Sequence, residues 1–283
     1  MQVQLAVRKG VSLLTAEEKN NFVQALLQLK REGHYDAMVR THHRAMMEVA
    51  PDPAHGGPAF LPWHRYCLRH LEHHLQAIDA SVTLPYWDWT SDRSTTGPPW
   101  TDDFMGGVGR ERDGQVLTGP FAFRTGNWPI TVKDFPRQPD FLTRFYRNPG
   151  ELPTLLQVRR ALERIPYDAK PWNFATNPRG SFRAALEMNL HNIVHILVGG
   201  NMTGAGSPND PVFYLHHAMV DRLWAKWQKL HPGELYRPRT GGPRGHNRHD
   251  RMWPWRKYEP PVTPQSTLDH HAMGYSYDDE SSW

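Results

Sequence analysis

Four stretches of this chain repeat apolar residues at helical spacing, and each places histidine among them, which most constrains what the chain can fold into. One runs from about Tyr35 to Ala50, with Met38, Val39, His42, Met46 and Val49 on one face. A second starts near Pro62, with His64 on the face of Leu68, Leu71, Leu75 and Ile78. A third covers about Ser181–Val198 and carries His191 and His195 at i, i+4, so both rings point the same way. The fourth runs to about His231, with Asp210 as its cap, Pro211 in its first turn and a stripe of Phe213, His217, Val220, Trp224 and Trp227. A further histidine, His55, sits in the breaker-rich "PDPAHGGPA" between the first two. Burying this many imidazoles without partners is costly, and a metal supplies partners.

The remaining pattern predicts one domain, residues 1–283: a mainly α, four-helix bundle around the histidines, wrapped by long irregular loops. A capping box, Thr15 to Glu18, opens a leading helix that Gly33 ends. Residues 81–180 are rich in Pro, Gly, Trp and Asp, with only short helices such as 154–164, and the last fifty are rich in Pro, Arg and Trp and largely irregular. Eleven Trp, ten Tyr and eleven Phe supply aromatic packing for such loops. The net charge of +4 comes without a Lys/Arg block, so no nucleic-acid partner is expected. No stretch approaches membrane-spanning length, and "MQVQLAVRKG" has no apolar signal core. The one cysteine, Cys67, excludes an intrachain disulfide and a cysteine-built zinc site.

Neutral imidazoles suit copper, zinc, iron and nickel. No Asp or Glu stands at a ligand-like spacing inside the cluster, which disfavours a hydrolytic dizinc or carboxylate-bridged di-iron site. Six nitrogens shared three and three would leave each metal open to a small ligand.

His55-x4-Phe60-Leu-Pro-Trp-His64-Arg65, with Glu72 beyond it, resembles the first copper signature of the type 3 (dinuclear) copper proteins. Asp210-Pro211-x-Phe213-Tyr-Leu-His-His217-x3-Asp221 resembles the second. "YDAMVRTH", "LPYWDW", "GNWPI", "NLHNIVHILVGG" and the terminal "YSYD" extend the likeness to bacterial tyrosinases and o-aminophenol oxidases along the whole chain. The resemblance implies two copper ions, one on His42, His55 and His64 and one on His191, His195 and His217, with dioxygen as co-substrate. His217 and not His216 is the ligand, because the signature leaves three residues before Asp221, and helical phase agrees. Asp221 falls on the face for anchoring work. His43, the His70/His73/His74 group and the His270/His271 pair are read as lying outside the metal-binding set. Pro53, two before His55, replaces the cysteine that some members crosslink to a ligand, so no thioether is expected.

The implied activity is copper-dependent ortho-hydroxylation of phenols and oxidation of o-diphenols or o-aminophenols to quinone-type products. Two residues in the family help remove the phenol proton, a glutamate before the first ligand of the second site and an asparagine after it. Asn192 matches, and Glu187 is the candidate glutamate, only four residues before His191 where bacterial tyrosinases have a longer interval. The loop before His55 is short and "THH" replaces "THN", changes at the substrate entrance that shift expectation toward o-aminophenols. The resemblance also implies a small helper protein that loads copper, so the chain is expected either in the cytoplasm or exported with that helper. An oxygen carrier of the haemocyanin type and a dizinc hydrolase are the rival readings.

Overall fold

The computed structural model describes residues 5–283. Helix α1, Ala16–Arg31, opens on the expected capping box: Thr15 Oγ1 accepts from the Glu18 amide at 3.1 Å, and Glu18 Oε2 accepts from the Thr15 amide at 2.9 Å. Gly33, at φ +76°, turns the chain into α2, His34–Glu48, using a left-handed conformation that glycine adopts without strain. Helix α3 covers Phe60–Ile78. It starts two residues earlier than predicted, because Pro62 sits in the first turn, where its missing N–H is not needed. A short α4, Leu155–Leu162, follows its own capping box at Thr154.

The third histidine helix is not one regular helix. It runs as α5, Phe182–Leu186, through a π-helical turn at Glu187–His191, into α6, Asn192–Val198. Such a turn inserts one extra residue and rotates everything beyond it. Helix α7, Val212–Leu230, is the centre of the bundle, and its first fourteen residues are all buried. Asp210 accepts from the Val212 amide at 3.0 Å, the expected cap, while Arg144 holds the same carboxylate.

Two three-residue strands, unforeseen in the sequence, bring the ends of the described chain together: β1, Ala6–Arg8, pairs in parallel with β2, Tyr275–Tyr277. They close over a buried ionic network. Arg8 meets Glu72 at 2.9 Å and Asp221 at 3.2 Å, Arg65 binds Asp221, and the Tyr275 and Tyr277 hydroxyls each donate to Asp221 at 2.6 Å. Asp221 is thus an anchor between α3, α7 and the strands. Indole N–H groups stitch the loops down: Trp128 to the Asn209 carbonyl, Trp63 to that of Trp253, Trp227 to that of Arg164. One expectation fails on α2. Met46, placed on the inward stripe, is 41% exposed, because it borders a cavity open to solvent.

Candidate metal centre

His42 from α2, His64 from α3 and His55 from the loop between them form one group in which one nitrogen from each ring lies within 4.8 Å of the others. His191 and His195, from the π turn and α6, form a second with His216 and His217 of α7. The His64 and His217 rings stack at 4.2 Å and 16°, so the two groups share one interior.

Hydrogen bonds at Nδ1 orient five of these rings, while His217 Nδ1 has no partner among the described residues. His42 Nδ1 lies 2.7 Å from the Ala205 carbonyl, His64 Nδ1 2.8 Å from that of Phe60, and His195 Nδ1 2.6 Å from that of Met202. His55 Nδ1 lies 3.1 Å from Asp52, and His191 Nδ1 2.8 Å from Asn192 Oδ1. Carbonyl and carboxylate oxygens only accept, so Nδ1 carries a proton in the four rings facing them, which leaves Nε2 as the nitrogen with the lone pair in the neutral ring. Those lone pairs face inward. His42 Nε2 and His64 Nε2 are buried without a partner, and His191 Nε2 and His195 Nε2 lie 3.2 and 3.3 Å from His217 Nε2. Burial, followed by mutual repulsion, holds His42, His64, His191 and His217 well below the ordinary histidine range. Burial brings His195 down to about 4. Neutral rings aimed at one another with unused lone pairs are what metal ligation requires.

The His55 loop depends on distant side chains. Asp52 Oδ1 accepts from the Ala54 and His55 amides, and Glu187 Oε1 accepts from the Gly56 amide at 2.6 Å. His246, from the irregular C-terminal region, donates through Nε2 to the Asp52 carbonyl at 3.0 Å and accepts at Nδ1 from the Ala59 amide. Gly56, at φ +68°, lies against Phe174, where a Cβ would fall 2.4 Å from the ring.

Above the rings a cavity of about 270 Å³ is lined by His42, His55, His191 and His195 together with Glu187 and Asn192. Met46, Phe174 and Ile196 form an exposed apolar rim. Among the described residues Glu187 is the only carboxylate lining it, and it is already engaged: Arg183, itself held by Asp168, meets its second oxygen at 2.8 Å. Burial raises the Glu187 pKa, against the pull of Arg183. The donor set is therefore imidazole alone, which fits copper and does not fit a carboxylate-bridged pair.

All six predicted ligands and both candidate proton-handling residues come together here. Sequence reasoning set His216 aside in favour of His217 and missed His246. His216, fully buried, stacks on His191 at 5.1 Å and accepts from Trp89 Nε1 at Nδ1, so its Nε2 carries the proton. The His-His doublet was its visible signal. His246 had none, being distant from the loop it holds. His43 lies beside Asp134, and His70, His74, His270 and His271 lie outside the centre.

A helical bundle enclosing two adjoining groups of imidazoles has the donor set of a dinuclear histidine metal centre. The common central domain of tyrosinase matches residues 32–230. The chain is 48% identical to a tyrosinase of Streptomyces antibioticus, over 97% of this chain and all of that one. It is 39% identical to grixazone synthase of Streptomyces griseus subsp. griseus, over 96% and 99% of the two chains. A functional unit of octopus hemocyanin shares the fold at a TM-score of 0.66 and 24% identity, over 96% of this chain and 68% of that one. Tyrosinase from Burkholderia thailandensis does so at 0.61 and 18%, over 96% and 73%. The chain belongs to the tyrosinase family, and it is a type 3 copper oxidase that uses two copper ions and dioxygen on phenolic substrates.

Proposed function

We propose that His42, His55 and His64 hold one copper and His191, His195 and His217 the other, within a single domain, and that o-diphenols or o-aminophenols are the preferred substrates. Bound copper supplies activation of dioxygen and accepts the electrons of the substrate. The chain's own residues present neutral Nε2 lone pairs, admit a flat ring past Met46, Phe174 and Ile196, and manage the phenol proton.

The observation that carries the substrate preference is the state of Glu187. A monophenol must be deprotonated before its ring is oxygenated, which needs a base within reach directly or through one water. Glu187 lines the cavity, but one oxygen accepts from Gly56 and the other from Arg183, so only its remaining lone pairs can hold a water. Asn192 lines the cavity with its Oδ1 on His191; its Nδ2 has only the weak acceptor Met188 Sδ, at 3.7 Å, and is available to orient that water. Hydroxylation of monophenols is therefore present but weaker than oxidation of ortho-substituted phenols. Oxygen uptake with catechol, an o-aminophenol carboxylate and tyrosine, assayed side by side, tests this. Tyrosine as the fastest substrate overturns the preference.

The exposed apolar rim also supports docking of a small copper-loading helper protein over the mouth. Chain expressed alone at limiting copper should be poorly loaded. Full loading without a partner removes the reason for a helper.

A further inference from the structure

His270, His271 and Glu280 form another cluster of metal-ligating side chains, outside the copper centre. His270 Nε2 lies 2.8 Å from Glu280 Oε1 and His271 Nε2 lies 2.7 Å from Oε2, with the two ring centroids 4.3 Å apart. One nitrogen from each ring and a carboxylate oxygen all fall within 4.8 Å of one another. Burial acts upward on Glu280, but hydrogen bonds from His270 and His271 outweigh it and hold the group at about 2, so it is ionised at neutral pH. Neither Nδ1 has a hydrogen-bond partner among the described residues, so each can carry the ring proton while Nε2 turns its lone pair to an ion.

We propose that His270, His271 and Glu280 form a site for a borderline divalent cation such as Zn²⁺, separate from the copper centre. Two imidazole nitrogens and one carboxylate oxygen are a common donor set for this class of ion, with water completing the coordination. Ligand bonds of about 2.0–2.1 Å in a tetrahedral site separate N and O by about 3.3 Å, roughly half an ångström more than the present hydrogen bonds. The half-exposed His271 ring has the freedom to make that adjustment and leaves the fourth position open to solvent. The charges working against the ion include Lys229, whose ammonium donates to the Glu280 carbonyl, and Arg65, which acts on His270; Asp279, the adjacent carboxylate, is taken by Arg222.

The ligands flank β2, with His270 and His271 before it and Glu280 after it, and Glu280 also accepts from the Tyr277 amide. A bound ion therefore closes the segment whose tyrosine hydroxyls hold Asp221, and ion binding and C-terminal order are linked.

The test uses the copper-loaded enzyme, so that the central imidazoles are occupied, titrated with ZnCl₂ by calorimetry while copper content is followed. One further equivalent of Zn²⁺ should bind without copper release and raise the melting temperature. His271→Ala and Glu280→Gln should each weaken binding by about ten-fold or more and remove the melting shift. Absence of the further equivalent, or parent-like binding in His271→Ala, overturns the proposal. His271 is half exposed, so its variant keeps the fold and decides the matter even if Glu280→Gln does not fold.

Discussion

His191 and His195 reach the centre through one turn of one helical segment, whereas His55 reaches it through a loop held by Glu187 and His246, side chains from elsewhere in the chain. Two ligands of the second half of the centre are thus encoded locally, in i, i+4 spacing, whereas His55 of the first half is placed only by the finished tertiary structure. The difference teaches where the centre is vulnerable: changes that loosen the loop should empty or misplace the first half while leaving the second intact.

The largest effect should come from Gly56→Val. A side chain there meets the Phe174 ring in a left-handed conformation, displacing the loop and its bond to Glu187. A shift of about 1 Å in a catalytic group costs on the order of 100-fold in rate. Catechol oxidation should fall by about that factor, with copper lost from one half only. Loss of both coppers together would mean that the halves are not independently held.

His246→Ala should come next. It removes both bonds that clamp the ends of the loop without touching a ligand. Outer supports of this kind are worth about 10- to 100-fold in metal affinity. A chelator should then withdraw one copper per chain faster than the other, and uniform release would break the contrast between the halves. Glu187→Gln should be more selective, depressing tyrosine hydroxylation about ten-fold more than catechol oxidation if the carboxylate manages the proton. Equal losses on both substrates would show that it only holds Gly56 and Arg183.

The smallest effect belongs to α3 outside both halves. Burial, together with His74 and His73, brings His70 down to about 4. The unfolded chain binds a proton there from about pH 6.5 downward and the folded chain does not, so this contribution is full above pH 6.5 and is lost as pH falls toward 4. His70→Asn should lessen the acid destabilisation between those values by about 1–2 kcal/mol, after allowance for the ring's partial exposure, as read from melts at pH 7 and pH 5. An unchanged difference would place the acid sensitivity elsewhere.

What the sequence made legible follows the same division. The capping box at Thr15, the short helical stretch 154–164 and the stripes containing His42, His64 and His217 are local signals, and they located α1, α4 and the three helices. The π turn at Glu187–His191 was not legible, because one inserted residue leaves the apolar pattern almost unchanged while altering where Glu187 points. His216 was weighed against His217 and set aside as a ligand, but its burial was not legible, because reading α7 by its stripe presumes one buried face, and the first fourteen residues of α7 are buried on all sides. The hold of His246 on the loop and the pairing of β1 with β2 join residues far apart in sequence, and no periodicity records such contacts.

The central claim is that six histidines hold two coppers, three to each. Metal analysis of the copper-loaded parent, with catechol-driven oxygen uptake measured in the parent, His64→Ala and His195→Ala, tests it most directly. The account predicts about two coppers per chain in the parent and loss of oxygen uptake in both variants. Saturation of the parent at one copper, or parent-like turnover in either variant, would contradict it.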